Sequence, residues 1–139
     1  MSWIFYAFLS AFAASATAIL AKIGIASVPS NLATAIRTAV VLVFAWAIVF
    51  ATREHTELRL LKPRSVLFLV LSGVGTGVSW LAYFKALQLA PASRVAPVDK
   101  LSLALTIVLA AVVLGESISW RVGLGAALMV AGALLTLTG

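Results

Sequence analysis

The sequence contains no cysteine and a single histidine, His55. Without cysteine there are no disulfides, thiolate nucleophiles or Cys-based metal sites, and one histidine cannot form a His-cluster metal site within a chain. No Gly-x-Ser-x-Gly motif occurs, and His55 lies in a charged segment, so a Ser/His/Asp arrangement has no obvious assembly. We therefore predict that the protein is not an enzyme and needs neither a metal ion nor another cofactor.

Charged residues are also scarce. Only 10% of the residues are charged and 63% are hydrophobic, whereas a soluble domain carries about 25% charged residues. A soluble globular protein is therefore excluded. Lysine and arginine outnumber the four acidic residues by six, but these cations lie between and at the ends of apolar runs. Their pattern indicates membrane topology rather than a nucleic-acid partner.

The apolar runs predict an all-α integral membrane protein with five spans. A spanning helix takes about 20 residues, so the chain has room for at most about six. The runs lie at about 3–26, 32–51, 65–89, 96–114 and 120–137. The first run lacks the basic n-region of a signal peptide and should remain as a span. No internal repeat or low-complexity linker occurs, so residues 1–139 are expected to form a single domain.

Proline marks the expected start of span four. Pro91 and Pro97 bracket a short connection, and Pro97 is expected in the first helical turn, where its missing N–H would have no partner anyway. Asp99 would then lie near a helix N-terminus, where the helix dipole favours a carboxylate. Before span five, Ser117 or Ser119 is a plausible helix cap.

Small residues recur at helical spacing in spans three and five. Gly73 and Gly77 form a GxxxG pair, and Gly123 and Ala127 belong to a second stripe. Such faces allow helix backbones to approach closely, so helix packing is the first interpretation. The glycines and hydroxyls of span three could also line a ligand cavity, because one helix has two faces.

Ionisable residues inside spans are candidates for function because burying them in lipid is costly. Arg37, about six residues into span two, is the first candidate for anion binding or gating. Its alternative role is pairing with a carbonyl or with Asp99. Asp99 is the only acid within a span and therefore the only plausible proton-coupling carboxylate. Its alternative role is a structural ion pair.

Three further cations, Lys22, Lys85 and Lys100, are predicted within spans. Lys22 and Lys85 lie near helix ends, where they can also snorkel to the headgroups. Together with Arg37 and Asp99, the embedded charges sum to +3 per chain. If they face a cavity, the substrate should carry a carboxylate or phosphate or be zwitterionic, with Trp80 and Tyr83 contacting its apolar part.

The cations are evenly divided between the two membrane faces that five spans define. One face has five cations: Arg53, Arg59, Lys62, Arg64 and Arg121. The other has five cations: Lys22, Arg37, Lys85, Arg94 and Lys100. Since Lys and Arg near span ends set orientation, an even count permits insertion both ways up. The loop charges alone favour a cytoplasmic N-terminus.

Several features follow one another along the chain in a characteristic order. They are Lys22, Pro29, Arg37, the segment 79–87, Ala92 with Pro97, and the segment 114–119 followed by Gly123. With this order the sequence resembles the drug/metabolite transporter superfamily, specifically a single EamA-type unit. The resemblance covers nearly the whole chain.

The resemblance implies a carrier of small metabolites in the cell inner (plasma) membrane. Most such family members have ten spans in two five-span halves of inverted topology, with substrate between the halves. This chain supplies one half, so alternating access requires a second unit. We expect an antiparallel homodimer in the lipid bilayer. A heteromeric partner, or a non-transporting subunit that pairs with another small membrane protein, is the alternative.

Overall fold

A computed structural model describes residues 2–138, and every regular element in that range is helical. Five segments are long and apolar enough to cross a membrane. The predictions of an all-α fold and of five helices able to span a membrane are therefore confirmed. Most large apolar side chains are exposed on the chain, including Phe12, Val112 and Leu135 at 70% or more. In a bilayer such surfaces contact lipid or another membrane protein.

The first two spans are the helices α1, Trp3–Gly24, and α2, Ser30–Ala51. α1 ends two residues before the expected boundary, and α2 begins two residues early. Pro29 occupies the N-cap position of α2 with an extended ψ of 138°, and its carbonyl accepts a hydrogen bond from the Ala33 N–H at 2.9 Å. Proline at this position fixes the turn that separates the two helices.

A 3₁₀ segment, Glu54–Leu60, follows α2 and leads to the third span, α3, Pro63–Leu89. Arg53 has a φ of 61°, the left-handed conformation that ends α2. The His55 ring stacks near Phe50, with centroids 5.3 Å apart. Pro63 opens α3 in the first-turn position, where no N–H is needed, so the span begins two residues before the expected 65.

The fourth span differs from the prediction. It consists of α4, Ala92–Asp99, and α5, Leu101–Leu114, interrupted at Lys100. Pro91 is the N-cap of α4, so the helix starts at 92 rather than 96 and Pro97 lies inside it. The predicted first-turn role of Pro97 is therefore wrong, because Pro91 already provides the helix start and a membrane helix tolerates an internal proline.

This earlier start changes the position of Asp99. It is the last residue of α4, not a residue near the N-terminus of the span, so the expected position at the helix start is wrong. Pro97 cannot donate the hydrogen bond that the carbonyl of Ser93 would accept in a continuous helix. The Lys100 N–H is shared between the carbonyls of Ala96 and Pro97, at 3.2 and 3.1 Å.

The fifth span is α6, Trp120–Thr138. Gly115 ends α5 in the left-handed conformation, with a φ of 71°, which favours glycine because it has no Cβ. The Ser119 Oγ accepts a hydrogen bond from the Val122 N–H at 3.4 Å, so Ser119, one of the two predicted caps, caps α6.

The chain divides into two compact units, one of which is Ala21–Gln88. The buried apolar side chains of this unit are Ile25, Phe84 and Leu87. The other unit contains the chain up to Leu20 and from Leu89 onward, and in it α4 and α5 both pack against α6. Val95 and Ala133 are its buried apolar residues.

Threonine hydroxyls inside the spans bond within their own helices. Thr34, Thr76 and Thr106 each donate to the carbonyl four residues earlier, at 2.8 to 3.0 Å. Thr136 donates to the carbonyl three residues earlier, at 2.7 Å. These hydroxyls are satisfied without a partner helix.

Candidate functional site

An arginine stacked on aromatic rings is the central feature of the Ala21–Gln88 unit. Arg37 lies seven residues after the start of α2, about 10 Å along the helix axis at ~1.5 Å per residue. Its guanidinium carbon is 4.1 Å from the centroid of the Trp80 ring and 5.5 Å from that of Phe84. Both distances lie within the range of a cation–π contact.

Helical spacing in α3 explains this arrangement. Trp80 and Phe84 are four residues apart and therefore lie on one face of the helix. Tyr83 packs edge-on against Phe84, with centroids 6.4 Å apart, and so adjoins a ring that Arg37 contacts. The structure thus brings together three predicted site residues, Arg37, Trp80 and Tyr83. Phe84, only 3% exposed, was missed, although its position one turn after Trp80 could have indicated it.

Arg37 keeps its hydrogen-bonding edge available for an anion. Within the Ala21–Gln88 unit, no carboxylate lies within salt-bridge distance of it, and the alternative of pairing with Asp99 stays a prediction. A guanidinium has five N–H donors in its plane, and stacking on an aromatic face uses none of them. A carboxylate or phosphate could therefore bind in a bidentate way while the ring contact is kept.

Lys22, by contrast, is bound within its own unit. Its ammonium group donates a hydrogen bond to the Leu87 carbonyl in the last turn of α3. Gln88 ties the same end of α3 to the turn before α2, because its Nε2 donates to the Val28 carbonyl at 2.7 Å. A cavity of about 270 Å³ lies here, lined by Lys22, Ile25, Ala26, Leu87 and Gln88. A cation at a helix C-terminus stabilises the last carbonyls.

The remaining predicted charges lie elsewhere. Lys85 is exposed on α3, four residues before its end, a position compatible with snorkelling. The Lys100 ammonium is 3.3 Å from the Asp99 carboxylate. Asp99 therefore makes an ion pair with its chain neighbour, at the interruption between α4 and α5.

The small-residue faces are open within the chain. At Gly73, Gly77 and Gly123, no heavy atom from elsewhere in the described residues lies within 4 Å of the place that a Cβ would occupy. Ala127 is exposed on α6. Close packing at these positions is therefore not made within their own compact units, and packing against a second chain stays a prediction.

Comparison with known proteins gives the family. A protein of Sinorhizobium sp., described as an uncharacterized transporter in the cobO 3′ region, is 48% identical over 134 residues, which are 96% of this chain and 95% of that protein. No solved structure matches. The EamA-like transporter family matches residues 1–138. Five spans and this match over nearly the whole sequence agree, and the chain belongs to the EamA-like transporter family of multi-pass membrane proteins.

Proposed function

We propose that the protein transports small organic anions or zwitterions across the plasma membrane, by alternating access between two oppositely oriented copies. The choice of an anionic substrate rests on the surroundings of Arg37. Arg37 lies within a span, stacks on Trp80 and has no carboxylate partner within its own unit. An unpaired cation inside a membrane protein is costly to bury, so such residues usually serve a function. Binding an anion is the simplest function for Arg37.

The same geometry suggests the shape of the substrate. A carboxylate or phosphate would accept hydrogen bonds from the guanidinium, and an apolar part would lie against Trp80 or Tyr83. A quaternary ammonium compound would meet the positive charge of Arg37 and the net charge of +3 carried together by Lys22, Arg37, Lys85, Asp99 and Lys100. We therefore expect selection against cations.

A second copy is proposed because one five-span unit cannot present the same cavity to both sides of the membrane. Three observations support this proposal. The even cation count permits both orientations, the faces of Gly73 and Gly77 are open, and the Sinorhizobium relative is matched over 95% of its own length. That relative is thus also close to a single unit in size.

The substrate proposal is tested with two compounds that share a phenyl ring but differ in charge. Purified protein is reconstituted in proteoliposomes, and uptake of labelled benzenesulfonate is compared with uptake of phenyltrimethylammonium. We expect benzenesulfonate to enter at least about tenfold faster, equivalent to ~1.4 kcal/mol. Faster uptake of the cation would overturn the proposal. Absence of both uptakes, together with copurification of a different membrane protein, would favour the non-transporting subunit.

Arg37→Lys then tests the proposed ligand. Lysine keeps the charge but loses the planar donor set and most of the stacking on Trp80. We expect benzenesulfonate uptake to fall about tenfold or more, corresponding to ~1.4 kcal/mol. Arg59→Lys, in the exposed 3₁₀ segment, is the matched control and should retain uptake. Equal uptake by both variants would remove Arg37 from the site.

A further inference from the structure

We propose that Asp99 and Lys100 form a proton-coupling site, at which an anionic substrate replaces Asp99 as the partner of Lys100 and Asp99 takes up a proton. The protein would then carry one anion together with one proton. This inference rests on the proposed function, because it requires an anionic substrate. It adds the driving force and a second anion-binding step, at Lys100, separate from the step at Arg37.

Asp99 and Lys100 lie well inside the fourth span. Asp99 lies seven residues after the start of the fourth span, about 10 Å along its axis at ~1.5 Å per residue. The hydrocarbon core is about 30 Å thick, so this point lies well inside a bilayer rather than at the headgroups. Charged residues at such depth are rare and usually mark a pathway for an ion or a substrate.

The helix of the fourth span is interrupted beside the ion pair. Pro97 removes one helical N–H, and α4 and α5 are separated at Lys100. Continuity resumes through a tighter hydrogen bond, from the Leu103 N–H to the Lys100 carbonyl at 3.0 Å. Interrupted helices inside membrane proteins are tolerated where the backbone lines a cavity or is buried in protein. The ion pair is thus located at a one-residue disturbance of the helical hydrogen bonding, and the proposal places the polar ligand there.

The side chains of Asp99 and Lys100 are both partly exposed. The Lys100 Nζ and the Asp99 Oδ2 are 3.3 Å apart, and the two side chains are 56% and 33% exposed. The pair is therefore not sealed inside the unit, and the proposal places the exposed ammonium group of Lys100 on the path of the anion. Two opposite charges inside a membrane are tolerable while they are together, but one left alone is costly.

The neighbouring charges leave Asp99 no second partner on the elements packed against α4. α5 has no titratable side chain. On α6 the only one is Arg121, in the first turn of that helix, at the end that follows the C-terminus of α5. On α4 itself, Arg94 lies five residues earlier. When an anion binds Lys100, the charge of Asp99 is most simply removed by a proton. Loss of the anion on the other side returns the proton and restores the pair.

The balance of this cycle predicts electroneutral symport. One negative charge on the substrate and one positive charge on the proton move together. Benzenesulfonate is a suitable probe because its sulfonate does not titrate near neutral pH, so any linked proton must bind to the protein. A gradient of one pH unit, acidic outside, should sustain about a tenfold accumulation of the anion, equivalent to ~1.4 kcal/mol. An imposed membrane potential should have no effect.

The test compares wild-type protein with Asp99→Asn and Glu116→Gln in proteoliposomes. Glu116 lies in the turn between α5 and α6, so its variant should keep the response to the proton gradient. In Asp99→Asn, the remaining uptake should be insensitive to the proton gradient and should respond to an inside-positive potential. Wild-type uptake without any proton response would overturn the coupling while leaving the proposed function standing. Wild-type protein that takes up no benzenesulfonate under any gradient would overturn both.

Discussion

The ammonium group of Lys22 and the guanidinium of Arg37 make different kinds of contact in the same unit. Lys22 donates to a backbone carbonyl at the end of α3, whereas Arg37 lies on aromatic faces and keeps its donors. Both were candidates for substrate binding or gating. The structure gives Lys22 a structural partner, so of the two residues we propose Arg37 for the substrate contact.

Lys22→Met should therefore destabilise the protein. The change removes a hydrogen bond from a charged group, which is typically worth about 1.5–3 kcal/mol, while keeping the length of the side chain. We expect a lower unfolding temperature in detergent. Lys85→Met is the control, because Lys85 is exposed, and it should stay within about 0.5 kcal/mol of wild type. A Lys22→Met protein of normal stability that no longer transports would show that Lys22 contacts the substrate instead.

At the scale of single elements, α3 combines two functions on different parts of its length. Its C-terminal part carries Trp80, Tyr83 and Phe84, which contact Arg37 or one another. Its middle carries Gly73 and Gly77, beside which the described residues leave open space. We expect the glycine face to contact the second copy of the proposed dimer.

Gly77→Leu should weaken this dimer without unfolding the chain. A Cβ at this position meets no heavy atom within 4 Å, so we expect the main effect at the contact between copies. Gly75→Leu is the matched control, since it makes the same change on the same helix about 200° away around the axis. Dimer content is measured by crosslinking in the membrane. Equal dimer content in the two variants would argue against the Gly73 and Gly77 face.

The elements also show what the sequence could and could not predict. Long apolar runs indicated all five spans, because a bilayer demands about 20 apolar residues in each. Arg37, Trp80 and Tyr83 were identifiable because charged and aromatic residues stand out in such runs. The position of Asp99 was not, because Pro97 was interpreted as a helix start. Whether a proline begins a helix or lies inside it depends here on Pro91, six residues earlier.

For the whole molecule, the helix bounds sharpen the question of orientation. Three of the five cations on one face, Arg53, Arg59 and Lys62, lie between α2 and α3. All five on the opposite face lie within the bounds of the spans: Lys22, Arg37, Lys85, Arg94 and Lys100. If charges inside spans count fully, the two orientations are balanced. If only loop charges count, the segment between α2 and α3 should stay in the cytoplasm.

Single cysteines at Ser27 and Glu57 distinguish these two cases, because α2 separates these residues and the chain has no other cysteine. Each variant is labelled with an impermeant maleimide from either side of the membrane. The antiparallel dimer predicts that both sites are labelled from both sides in comparable fractions. Labelling of Glu57→Cys only from the cytoplasm and Ser27→Cys only from outside would exclude that dimer. An oppositely oriented partner chain would then be required.

The threonines described above have a consequence for how the protein meets its solvent. A hydroxyl whose proton is held by a carbonyl one turn back presents mainly its methyl group and a weakened acceptor to its surroundings. To a lipid chain, Thr76 and Thr106 therefore resemble valine more than serine. The surface that the protein presents to lipid is therefore more apolar than its residue types suggest. The few side chains that remain polar toward their surroundings are correspondingly distinct.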